Sequence, residues 1–259
     1  GEYRITARNE YYFIKIINSN IVIRGDGPDK TKIKIDPYFG GVYNIYNKRV
    51  FDVIATDLWT GNLLSPTAIS KDLPYPTKVI PVADVDDFKV GDPVTIYGTF
   101  NDASLREHDM LNIWPLGRQI YVWRRDIVAI DGAKKEITID VPTRYRVNVA
   151  NDNPRIAIAK KGLSEIGFEH LSFGMIRHED EWGNDPNAPI IDAIGSNNII
   201  YLTNVENGWL YNLKSYRPVE NANRPTDNVQ YGEYDVEILN NVFYLKDSRF
   251  ITVKNFHFK

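Results

Sequence analysis

The chain has no cysteine. That excludes disulfides, thiolate nucleophiles and cysteine-ligated zinc, and it leaves the redox compartment open. Neither sign of charge is in large excess. A formal net charge of -3 gives no electrostatic reason to expect nucleic acid or an anionic membrane as partner. No apolar run approaches the roughly 20 residues that a membrane span needs. The opening Gly1-Glu2-Tyr3-Arg4-Ile5 lacks the charged-then-apolar pattern of a secretion signal, so a signal is either absent or already removed. Also missing are His-Glu-x-x-His, Gly-x-Ser-x-Gly, the P-loop and a dinucleotide glycine fingerprint, since Gly25-Asp26-Gly27 lacks the helix such a site requires.

What is present is ordinary in bulk. Hydrophobic content of 43% and charged content of 25% rule against disorder. The 259 residues suffice for one large all-β domain or two smaller ones. Sixteen Tyr, 11 Phe and 5 Trp suit both a β-core and stacking on sugar rings.

Repeats organise the chain. Asn197–Tyr216 reads as two short strands joined by a tight turn at Asn207-Gly208. Residues 166–173 and 251–258 can be laid over residues 208–215. His170, Asn212 and Asn255 then fall in register, as do Leu171, Leu213 and Phe256. Near-constant spacing of strand-like units that cannot bury both faces alone predicts a stacked solenoid. At a sharp bend asparagine tolerates left-handed geometry and its amide reaches the next rung, so Asn212 and Asn255 are read as structural. His170, at the same ladder position, and His257, between two phenylalanines, are read as strand residues.

Taken in order, residues 1–37 read as early coils, with strands at residues 12–17 and 21–25 and again from Thr31 to Ile35. Residues 38–160 break that pattern with Pro and Gly punctuation, and Ile127–Asp140 reads as a hairpin turning at Asp131-Gly132. This is read as an antiparallel β-module inserted between coils. Residues 161–259 return to coils with long polar loops on one edge. The last strand, Phe250–Lys259, presents an apolar face with nothing after it, so a missing C-terminal segment or a second chain is expected to complete the solenoid.

The stretch Asn20-Ile21-Val22-Ile23-Arg24-Gly25-Asp26-Gly27-Pro28-Asp29-Lys30-Thr31-Lys32-Ile33 resembles the early coils of the pectate-lyase-like superfamily, in which a Gly-x-Gly turn followed by Thr-x-Ile recurs. The resemblance implies a right-handed parallel β-helix, hence an all-β fold with an inserted antiparallel module. It further implies a secreted, cell-surface or periplasmic carbohydrate-active protein whose partner is a polysaccharide. That superfamily holds lyases, hydrolases and viral tailspikes, so fold does not decide activity.

One loop concentrates chemistry. In Arg177-His178-Glu179-Asp180-Glu181-Trp182 the three carboxylates suit Ca²⁺ or an acid–base pair, and Trp182 suits a sugar platform; a solvated charged loop is the alternative. Nearby in the stacked strands come Trp209, Tyr211, Lys214, Tyr216 and Arg217. β-Elimination from a uronate needs its carboxylate neutralised and its C5 proton taken by a base. Lys214 or Arg217 is expected to act as base or neutraliser, with His178 and Tyr211 as further catalytic candidates. Arg177, Trp182, Trp209 and Tyr216 would bind substrate, and Glu179, Asp180 and Glu181 would hold metal. Hydrolysis requires two suitably spaced carboxylates, for which Asp180 and Asp192 are available. Arg106, His108, Arg118, Trp123, Arg124 and Arg125 form a basic, aromatic group in the inserted segment, read as an ordinary charged loop rather than a second binding wall. The expectation is a lyase on an acidic polysaccharide. The alternatives are a hydrolase or a non-catalytic glycan-binding adhesin or tailspike.

Overall fold

Single left-handed residues, asparagine the commonest among them, punctuate otherwise extended β-branched and aromatic runs, and they set the architecture. The computed structural model describes residues 1–6, 12–36, 49–55, 63–99, 101–117, 119–176, 198–221 and 241–258. The fold is all-β, in two units: Gly1–Thr56 with Gly162–Lys259, and Asp57–Lys161.

The chain order begins with β1 (Glu2–Thr6), β2 (Tyr12–Ile16), β3 (Ile21–Arg24), β4 (Lys32–Asp36) and β5 (Arg49–Ile54). The second unit then supplies β6 (Leu64–Ala68), β7 (Val79–Pro81), β8 (Pro93–Thr99), α1 (Asp102–Glu107), β9 (Gln119–Asp131), β10 (Glu136–Ile139), α2 (Val149–Asp152) and β11 (Arg155–Ile158). The chain returns with β12 (Leu163–Ser164), β13 (Ile166–Met175), β14 (Asn198–Thr203), β15 (Val205–Ser215), β16 (Asn241–Lys246) and β17 (Arg249–His257).

Among the described residues, all pairings in the first unit are parallel. One sheet runs β1-β4-β13-β15-β12, with β3 on β13 and β17 on β15; the other runs β16-β14-β5-β2. Their facing sides share one apolar core. Phe51 of the second sheet lies edge-on to Phe168 (5.1 Å between centroids) and Phe173 (6.2 Å) of the first. All three rings are buried, each contributing about 2 kcal/mol or more by removal from water. The aligned repeat is real in three dimensions: β13, β15 and β17 are parallel neighbours, with Leu171, Leu213 and Phe256 in one register row.

The expected Asn207-Gly208 hairpin does not form. β14 and β15 belong to different sheets, and the chain crosses between them at Asn204 (φ 56°). A two-residue hairpin of the kind Asn-Gly favours needs positive φ at both central residues, whereas here only Asn207 (φ 55°) has it. Asn207 merely bends the strand, in one register row with Glu165 (φ 57°) and Phe250 (φ 54°). A second row of bends comprises His170 (φ 57°), Asn212 (φ 54°) and Asn255 (φ 54°). β5 lies in the range the sequence reading gave to the inserted module, yet it pairs parallel between β14 and β2. Val50 to Val53 are buried on both strand faces, so the period-2 signal that marks a strand is absent there.

The second unit is a six-stranded sheet in the order β6-β11-β8-β9-β10-β7, its strands paired antiparallel. The expected Asp131-Gly132 hairpin is present as β9 paired to β10, with Asp131 Oδ1 accepting from the Lys134 amide at 3.1 Å. Pro66 and Pro81 sit in the two end strands, where a missing amide donor costs the ladder nothing.

Candidate functional site on the outer face of the parallel sheet

β15 sorts its side chains sharply. Leu210 and Leu213 are buried in the core, while Trp209, Tyr211, Lys214 and, just beyond the strand, Tyr216 are half-buried. Asn212, bent left-handed, resets the alternation between Tyr211 and Leu213. Neighbouring strands extend the outer face in register. One row reads Arg24–Glu169–Tyr211–Lys254 and another Lys32–Ser172–Lys214–His257. The face therefore mixes aromatic rings with cations.

Two glycines on β13 make room for two of those rings. A Cβ on Gly167 would run into the indole of Trp209, and one on Gly174 would meet the Tyr216 carbonyl oxygen at 2.6 Å and the Tyr216 ring at 2.9 Å. Trp209 Nε1 donates to Glu169 Oε1, and Arg24 Nε donates to Glu169 Oε2 at 2.6 Å. Arg24 is the largest influence holding the Glu169 carboxyl below its ordinary range, against the opposing effect of burial. Tyr211 lies edge-on to His170, 5.2 Å between centroids. Lys214 Nζ donates to both oxygens of Asp29, at 3.1 and 3.2 Å.

Around Tyr216 the chemistry is carboxylate-rich. Its hydroxyl donates to Glu2 Oε2 at 3.4 Å, and Lys32 Nζ stands 5.1 Å from its ring centroid. Burial first, and the negative Glu2 and Glu220 after it, push the phenol well above its ordinary value. Tyr216 thus presents a ring and a hydroxyl donor. Lys34 Nζ lies 2.6 Å from both Glu2 Oε1 and Glu220 Oε1. The two carboxylates thus share one ammonium. Glu2, Lys34 and Glu220 consequently form a clamp joining β1, β4 and the turn after β15.

No protein-family model matches the chain, and no curated protein matches it. Solved structures do. The chain is similar to the tailspike protein gp49 from Pseudomonas phage LKA1 at 12% identity and a TM-score of 0.45, over 99% of this chain and 37% of that one. It is similar to the tailspike gp54 of Acinetobacter baumannii bacteriophage AP22, solved with A. baumannii capsular saccharide, at 14% identity and 0.35, over 83% and 30%. The third is the tailspike gp61 of Pseudomonas phage phi297, at 10% identity and 0.40, over 98% and 39%. All three are phage tailspikes. The chain spans well under half the length of each.

Of the residues expected at the site, Trp209, Tyr211, Lys214 and Tyr216 share this face, and Arg217 follows Tyr216, exposed. Arg177, His178, Glu179, Asp180, Glu181, Trp182 and Asp192 lie outside the described residues. Among the described residues no group of three or more His, Asp or Glu is arranged to hold a metal ion. In the second unit Trp123 and Arg125 are buried, Arg125 donating to the carbonyls of Val141, Arg124 and Pro142 at 2.7 Å. Their role there is structural. Sequence reasoning missed Arg24, Asp29 and Glu169 as partners of the site. Arg24 and Asp29 stand in the Gly-Asp-Gly stretch already singled out, yet 145 and 185 residues separate them from Glu169 and Lys214.

Proposed function

We propose that the first unit consists of coils of a right-handed parallel β-helix whose outer sheet face binds an acidic polysaccharide and cleaves it by β-elimination. One observation carries the reading: β15 aligns Trp209, Tyr211 and Lys214 on one face, with Tyr216 just after it, Lys254 on the adjacent β17, and Arg24 and Lys32 beyond β13 in the same register rows. Aromatic faces suit the apolar faces of sugar rings. Cations suit the carboxylates, and their positive charge lowers the cost of forming the enolate that β-elimination passes through.

The roles divide by environment. Lys214, whose ammonium already engages a carboxylate in Asp29, suits the neutraliser. Tyr211, Arg217 and His178 are the candidates to take the C5 proton, as phenolate, guanidine or imidazole; the C4=C5 double bond then forms as the C4–O bond breaks, and the leaving oxygen takes a proton from the protonated base or from water. Glu179, Asp180 and Glu181 would hold Ca²⁺ if a metal shares the neutralisation.

The experiment is an ultraviolet assay for unsaturated uronate with a panel of acidic polysaccharides, with and without chelator. Tyr211→Phe, Lys214→Ala and Arg217→Ala should each lower turnover, while Arg106→Ala in the second unit should not. Reducing ends released without ultraviolet absorbance would replace the lyase by a hydrolase. Binding with neither product would leave a glycan-binding protein.

A further inference from the structure

Trp209 is held from two sides. Three indole atoms, Cε2, Nε1 and Cζ2, occupy the space within 3.0 Å of where a Cβ on Gly167 would stand, so the ring lies over that glycine. Its Nε1 is tied to Glu169, and Glu169 is tied in turn to Arg24. The four residues come from β15, β13 and β3 and occupy two register rows, Val22–Gly167–Trp209 and Arg24–Glu169–Tyr211. An aromatic ring fixed along its edge and backed by glycine offers a flat surface with little rotamer freedom left to lose on binding.

Arg24 adds a charge beside that surface. Its side chain is 65% exposed. Only Nε reaches Glu169, and among the described residues its two Nη groups make no hydrogen bond. A planar guanidinium with both Nη groups open matches a carboxylate in bidentate fashion. A stacking ring by itself accepts neutral and acidic sugars alike. The cation next to it is what discriminates.

We propose that Trp209 and Arg24, set in place by Gly167 and Glu169, form a subsite for one uronate residue, with the sugar ring against the indole and its carboxylate on the Arg24 Nη groups. This rests on the glycan-binding reading of the face, and adds to it a position and a charge preference. Glu169 is a positioning residue, touching both binding groups and not the sugar.

The test is calorimetric binding of a uronate trisaccharide and of its carboxyl-reduced counterpart. Wild-type protein should favour the acidic sugar by about tenfold or more, the range of a charge-assisted hydrogen bond. Arg24→Gln should abolish that preference, so that the acidic and the carboxyl-reduced sugar bind with equal affinity. Gly167→Ala, which displaces the indole, should weaken both sugars by a similar factor. Arg24 is exposed, so its variant keeps the fold that a methyl at Gly167 can disturb. A preference that survives Arg24→Gln overturns the subsite while leaving the face as a glycan-binding surface. Wild-type protein that binds no acidic saccharide overturns both.

Discussion

Asn212 Nδ2 lies 2.8 Å from His170 Nδ1 on the neighbouring strand. The amide donates, so this ring nitrogen accepts and the imidazole carries its proton on Nε2. Both residues are left-handed, a conformation that asparagine tolerates better than histidine or alanine. Asn212→Ala should therefore lose about 1 to 3 kcal/mol, combining backbone strain with the broken hydrogen bond. Asn212→Gly should lose less, because it relieves the strain. His170→Asn should be close to neutral. Urea unfolding of the three variants orders them.

Gly174→Ala places a methyl against the Tyr216 carbonyl oxygen, which is backbone and cannot rotate aside. A destabilisation of about 1 to 3 kcal/mol is expected, typical of overpacking. The near-ultraviolet circular dichroism of the tyrosines should change with it.

The acid limb of stability should depend on Glu169. Its carboxyl is held low, chiefly by Arg24, so its contribution is present above the ordinary glutamate value of about 4.3 and is lost as pH falls through the lower folded value. Glu220, held low first by Lys34, behaves in the same sense. Thermal melts of wild type and Glu169→Gln across this range should converge as the pH drops. A constant gap between them would contradict the assignment.

Lys34→Met leaves Glu2 and Glu220 facing each other without their shared cation. It should destabilise by about 1 kcal/mol, a modest figure because both carboxylates are partly exposed and screened. Adding Glu220→Gln to the Lys34→Met protein should recover part of the loss. A double-mutant cycle measures the coupling.

The legible part of the fold was the part written locally. A bend residue followed by a buried leucine at matching positions, His170-Leu171 and Asn212-Leu213, revealed that β13 and β15 stack, because each coil bends at the same place. The Asn207-Gly208 pair misled for the same reason: its composition suits a reversal, but the hydrogen-bond partners that decide between bend and reversal lie on other strands. β5 was illegible because burial on both faces erases alternation. The aromatic and cationic members of the face were readable from β15 alone. Glu169 and Arg24 were not, since nothing local announces that a carboxylate on one coil will fasten the tryptophan of the next.

The rows of bends also fix lengths. Asn204, Asn207 and Asn212 recur at the same intervals as Asp247, Phe250 and Asn255, although the two coils differ in total span by one residue. The difference is taken up outside the bend-to-bend segment. Adding or deleting a single residue between Val205 and Leu213 would throw every outward side chain inward and misalign the bends with both neighbours. In this molecule, then, the ladder that keeps the outward rings and cations in line must be copied residue for residue.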